Sequence, residues 1–314
     1  MLSWLPVALW GAAALTLRLT AEDLANAGEL RPIRLDALRE RYRAKDATFH
    51  RLEVQWKEDV VDRHNGAHAS WSGKWRVLME GDKLRMEETK GEDTQVLTFN
   101  GEVGMRLSTS KRFDPVAHID RRDVTETLNA NNCNTDPVLC AFRPTKILGS
   151  LEAGRSSGWA SKSGELNGQN VYVLSRGTGI DGTLKRVLYV SPADLTVQRM
   201  TDENEHIRIQ WDIEYRDVHG ETVPMRWKWV TEFPHGKLMM SRTIHAVLVN
   251  LNPEIAPSDF EIEFPTRTAV YDARDKDRYI VGPNDEKVRY RLQDLQSKTV
   301  DDILNDRLRG RSND

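Results

Sequence analysis

Between residues 207 and 229 the chain reads IRIQWDIEYRDVHGETVPMRWKW, with apolar and polar positions alternating. Ile207, Ile209, Trp211, Ile213 and Tyr215 fall on one side; Arg208, Gln210, Asp212 and Glu214 fall on the other. A period of two marks a strand with one dry face and one wet face. After His219-Gly220 the dry side resumes with Met225, Trp227 and Trp229. Earlier, Leu52, Val54 and Trp56 alternate with Glu53, Gln55 and Lys57. Trp71, Gly73, Trp75, Val77 and Met79 alternate with Ser72, Lys74, Arg76 and Leu78. Gly81-Asp82 predicts a turn, and Asn100-Gly101 predicts a type I′ turn. Further strands are predicted at 171–176, 185–190, 196–201, 205–217, 222–233 and 237–251, with a short last one at 259–264.

Two stretches break this texture. Residues 35–45 place Leu35, Leu38 and Tyr42 on one side of an otherwise charged segment, which predicts an amphipathic helix. Residues 115–155 form an insertion in which Asp136-Pro137 predicts a helix start. Beyond 266 the chain is charged, with a strand predicted at 279–281, a helix at 299–308 and a disordered end. The pattern specifies a mainly β chain: one antiparallel β domain with a few helices.

The 314 residues are 39% hydrophobic and 30% charged, as expected for a globular chain. A net charge of −3 gives no electrostatic case for nucleic acid. Residues 1–27 read as a signal peptide: an apolar run from Leu2 to Leu17, then Ala25-Asn26-Ala27 in the form of a cleavage site. The run is short for a bilayer span, and an uncleaved anchor is the other reading. The expected location is therefore periplasmic or otherwise exported. Cys133 and Cys140 are the two cysteines; a short-loop disulfide and two free thiols are both open.

Motifs of catalysis are scarce. There is no nucleophile elbow, no phosphate-cradling loop and no zinc-protease helix. Gly177 to Gly182 matches GxGxxG, but strands are predicted on both flanks, where dinucleotide binding needs a helix after the loop. His64 and His68 are the one close histidine pair, near Glu58, Asp59 and Asp62, and no third ligand is defined. No catalytic residue, metal site or cofactor is expected.

That leaves the tryptophans. Trp56, Trp75, Trp211, Trp227 and Trp229 fall on the dry faces of successive strands. They can fill the core of a sandwich or barrel, since each buried aromatic contributes on the order of 2–3 kcal/mol. They can instead line an apolar cavity in a sheet too wide or too open to fill itself. Periodicity does not separate a filled interior from a hollow one.

Residues 187–233 run from a strand into Ser191-Pro192-Ala193-Asp194-Leu195, then through an acidic turn to a long strand. That strand ends in Ile213, Tyr215, Asp217-Val218, Gly220 and Val223-Pro224. This order resembles the periplasmic lipoprotein-carrier superfamily, the LolA/LolB-like proteins. Residues 252–272, where Asp259-Phe260 precedes Pro265, look similar to the closing strand of those proteins. The resemblance implies a strongly curved, incomplete antiparallel β-barrel over 28–265, with helical lids from 35–45 and 136–150. Residues 266–314 would be a charged, partly disordered extension.

It also implies a non-enzymatic carrier for a lipid or lipoprotein acyl chain, working with a membrane-associated partner protein. The apolar candidates are Trp56, Trp75, Ile207, Ile209, Trp211, Ile213, Tyr215, Met225, Trp227 and Trp229. A cell-envelope scaffold with a filled core is the alternative, and a hydrolase-type enzyme with an unrecognised site is a weaker one.

Overall fold

The computed structural model describes residues 31–63, 68–120, 141–143, 145, 158–177, 185–233 and 236–311. The segment 1–27, Cys133, Cys140, His64 and nearly all of the glycine-rich loop and the 115–155 insertion beyond 120 lie outside the described residues.

Helix α1 (Leu35–Thr48) leads into β1 (Arg51–Asp62), β2 (Ala69–Glu80), β3 (Lys83–Lys90), β4 (Asp93–Phe99), β5 (Gly104–Thr109) and β6 (Val116–Asp120). After the insertion come β7 (Trp159–Leu166), β8 (Gln169–Arg176), β9 (Lys185–Val190), β10 (Val197–Glu203), β11 (Arg208–Val218), β12 (Glu221–Glu232) and β13 (Leu238–Leu251). The chain ends with β14 (Ala269–Asp272), β15 (Asp277–Val281), β16 (Lys287–Arg289), α2 (Asp294–Ser297) and α3 (Val300–Arg311).

These strands form one curved sheet that does not close into a barrel. Two meanders, β1 to β6 and β7 to β13, join where β1 pairs with β13, and β7 and β16 are the edges. Burial follows the alternation: along β1, Leu52, Val54, Trp56, Glu58 and Val60 are all buried.

Helix α1 covers the dry face of β8 to β11. Leu38 and Tyr42, both fully buried, pack with Leu174, Leu188, Val190, Leu195, Val197, Met200 and Trp211. Asp36 in its first turn and Lys45 in its last complement the helix dipole. Phe49, just past its end, and Phe142 from the insertion pack into the neighbouring cluster with Trp56, Ile213 and Trp227.

Three expectations change. The sheet is not wholly antiparallel: β14 runs parallel to β6, with Ala269 opposite Val116 and Asp272 opposite Ile119. The strand and the helix expected beyond 266 are present as β15 and α3. Val300, Ile303 and Leu304 of α3 pack on Ala269, Ile280 and Val288. A parallel partner about 150 residues away leaves no hairpin signature in the sequence.

The strand expected at 259–264 is a 3₁₀ turn, Pro257–Phe260, followed by irregular chain. The Asp259 carboxylate accepts from the Ala256 N–H at 2.8 Å, and Arg85 donates to the carbonyls of Asp259 and Glu261. Side chains thus take the place of a neighbouring strand. Asn100-Gly101 belongs to a four-residue loop rather than a two-residue turn, because the Asn100 side chain accepts from the N–H groups of Glu102 and Val103.

Candidate functional site: the tryptophan face

Cross-strand register brings the dry-face tryptophans into pairs. Trp56 of β1 lies opposite Trp75 of β2, and the rings stack with centroids 5.6 Å apart and 9° between planes. Trp211 of β11 lies opposite Trp229 of β12, with centroids 5.5 Å apart and planes at 32°. Ile213 pairs with Trp227, and Trp227 with Ile244 of β13. Aromatic pairs in direct register hold neighbouring strands together beyond the area they bury.

Of the ten candidate residues, Trp56, Trp211, Ile213 and Trp227 are buried, and the other six are half-buried. They fall into two adjoining clusters. Trp56, Ile213 and Trp227, with Trp75, Tyr215 and Met225, belong to the cluster closed by Phe49 and Phe142. Trp211, Ile209 and Trp229 belong to the one covered by α1. Ile207 joins neither: it lies in the turn before β11, where its N–H donates to the Asn204 side chain. Met225 marks a register shift between Glu214 and Tyr215.

The structure adds residues that alternation did not single out. Glu58 sits on the apolar side of β1, its side chain 1% exposed, and accepts from Arg242 Nε at 2.7 Å. The Arg242 guanidinium also lies over the Trp229 ring, 5.6 Å from its centroid. Gly73, opposite Glu58, leaves room for the carboxylate: a Cβ there would come within 3.0 Å of Glu58 Oε1. On the neighbouring strand, Lys90 lies over Trp75 at 5.7 Å and pairs with Glu88. Each tryptophan pair is thus flanked by a cation already matched to a glutamate.

Glu58 was legible as the one acid among Leu52, Val54, Trp56 and Val60. As for the acid–histidine group, Glu58 is committed to Arg242, Asp59 accepts from Ser72 at 2.6 Å, and His68 is exposed. Among the described residues no group of three His, Cys, Asp or Glu side chains is placed to hold a metal ion.

Under the end of α1 a cavity of about 10 Å³ remains between Lys45, Phe49, Ala141, Leu195, Val197, Tyr215 and Thr222. That is room for roughly one water molecule. Burial pushes the Tyr42 and Tyr215 phenols well above their ordinary range, reinforced by Asp194, and Tyr215 donates to the Val197 carbonyl at 3.1 Å. Burial lowers the Lys45 ammonium, against the pull of Asp194 and Glu221. A separate open groove of about 830 Å³ lies between β5 and the C-terminal strands, with Leu107, Phe264, Tyr279 and Val281 in its wall.

No family model matches the chain, and no curated protein matches it. Solved structures do. The chain is similar to an outer-membrane lipoprotein-sorting protein domain, so described, from Vibrio parahaemolyticus: 11% identical, TM-score 0.43, over 72% of this chain and 95% of that one. It is similar to a DUF1329 family protein from Desulfovibrio piger at 10% identity and TM-score 0.43, over 74% and 98%. It is also similar to a LolA superfamily protein from Nitrosomonas europaea at 12% identity and TM-score 0.37, over 73% and 98%.

Proposed function

We propose that the protein is an exported, non-enzymatic binding protein that takes an apolar ligand, a lipid or lipoprotein acyl chain, against the tryptophan face. The observation that carries this reading is the set of paired tryptophans on one face of an open sheet, under covers drawn from separate segments. Trp75, Trp229, Ile209, Tyr215 and Met225 stay half-buried beneath those covers. Phe142 and α1 are the parts that would move: they touch the face through side chains and donate no strand to the sheet. Displacing them exposes an apolar surface that a hydrocarbon chain can take over, at about 0.8 kcal/mol for each CH₂ buried.

A titration tests this. A fatty-acyl probe shifts the intrinsic emission of the wild-type chain, and the Trp227→Ala/Trp229→Asp variant weakens the response. Emission that stays constant across a series of lipids overturns the reading. It would favour the scaffold alternative, in which Phe49 and Phe142 are permanent core residues.

A further inference from the structure

We infer that the open groove beside β5 is a docking site for an extended peptide of a partner protein, one in which apolar residues alternate with Lys or Arg. The groove is separate from the tryptophan face: its apolar members Leu107, Phe264, Tyr279 and Val281 belong to a cluster of their own. One wall is the chain from Glu263 to Thr266. Residues 259–264 read Asp-Phe-Glu-Ile-Glu-Phe, the alternation of a strand, and burial follows it. Phe260 is buried, Ile262 and Phe264 are half-buried, and Glu261 and Glu263 are exposed. Yet this segment joins no ladder of the sheet. Among the described residues, the N–H groups of Ile262, Glu263 and Phe264 and the carbonyls of Ile262 and Glu263 have no hydrogen-bond partner.

The segment is held at both ends and unpaired between them. At its start, Arg85 donates to the carbonyls of Asp259 and Glu261 at 3.1 and 2.9 Å. Past its end, Thr268 donates to the Pro265 carbonyl through its N–H at 3.1 Å and its hydroxyl at 2.6 Å. Ile262 and Phe264 pin the middle to the sheet. Its course is set before any partner arrives, which lowers the ordering cost of binding. A strand-like chain with unmatched main-chain groups is a template for one more strand. The groove, at about 830 Å³, lies within the range of ligand-binding clefts and takes the apolar side of the incoming strand.

Charge narrows the partner. Glu263 and Asp285 line the groove and Glu261 lies just before it; among the described residues none of the three has an ion-pair partner. Lys287 is the one cation in the lining, and it lies over the Tyr279 ring, 4.6 Å from its centroid. A basic side chain on the incoming strand meets these carboxylates, and an acidic one meets like charge, which is costly across an interface. The carboxylates alone would suit any cation. The unmatched main-chain groups beside them select a peptide over a free amine.

The test is fluorescence anisotropy on the full chain with two labelled peptides, one alternating Lys with Val and Tyr and the other carrying Glu in place of Lys. The Lys peptide should bind about tenfold more tightly. Glu263→Lys, at an exposed position, should remove that preference or reverse it. Amide hydrogen exchange over residues 262–264 should slow when the Lys peptide binds. Equal binding of the two peptides, or binding of neither, overturns the inference. So does a preference that Glu263→Lys leaves unchanged, which places the site elsewhere, or binding without slower exchange at 262–264, which denies the added strand. Self-association of the chain that Glu263→Lys abolishes would make a second copy the occupant and overturn the partner named here. The wild-type preference and exchange decide the matter even where the variant does not fold, and none of these results bears on acyl-chain binding at the tryptophan face.

Discussion

Arg242 stands over the ring of Trp229 at 5.6 Å and closes on the buried carboxylate of Glu58, which reaches it from the adjacent strand. The pair ties β13 to β1, the seam between the two meanders, on the apolar side of the sheet. Removing one partner leaves the other charged and buried. Glu58→Gln and Arg242→Ala should each destabilise the fold by about 3–5 kcal/mol. The double variant Glu58→Leu/Arg242→Met should recover most of that loss. Urea titrations of the three chains check this; additive losses in the double variant would show that the two residues do not act as a pair.

Gly73 answers to the same carboxylate. A methyl group at this position meets Glu58 Oε1 at 3.0 Å and Cγ at 3.2 Å, and the carboxylate is held by Arg242. Gly73→Ala should cost about 1–3 kcal/mol through overpacking. In a Glu58→Asp background, whose shorter side chain withdraws from the contact, the added penalty should fall. An equal penalty in both backgrounds would place the strain elsewhere.

Phe142 packs the described part of the insertion against the sheet. Its ring meets Phe49 edge-on at 5.7 Å and tilts over Trp227 at 6.2 Å. Phe142→Ala should cost about 3–5 kcal/mol if the contact persists throughout the folded state. A cover that opens for a ligand should cost less, and acrylamide quenching of tryptophan emission should rise. Unchanged quenching with the full loss of stability would mark Phe142 as a fixed core residue.

Much of this was legible beforehand, and the failures have physical reasons. Alternation at 208–218 and 221–232 is nearly unbroken, because one side of each strand is wet and the other dry, so both strands and their apolar members were readable. Which tryptophan meets which was not: pairing depends on register, and a bulge at Met225 shifts it without a local sequence signal. Ile207 kept the alternation but fell in a turn closed by Asn204, whose side chain competes with the strand ladder. Glu58 and Arg242 were individually visible as charges. Their meeting was not, since 184 residues separate them along the chain.

The C-terminal strands carry their own test. Asp272, buried on β14, accepts from Arg274 Nε at 2.8 Å and Nη2 at 2.6 Å, and this holds its carboxyl below the ordinary value of 3.8. A folded pKa below the unfolded one means the stabilisation is fully present above about pH 4. It is lost as pH falls through the lower, folded value. The stability difference between wild type and Asp272→Asn should therefore be constant at neutral pH and shrink below the ordinary carboxylate range. A difference that stays flat down to the acid limit would deny Asp272 this role.

The most direct measurement is mass spectrometry of organic extracts from the full chain, purified gently without detergent. A sheet face that hosts acyl chains should carry them through purification: near-stoichiometric acyl lipid in the extract, and much less from the Trp227→Ala/Trp229→Asp variant. Extracts from wild type and variant that match a protein-free control would contradict binding at this face.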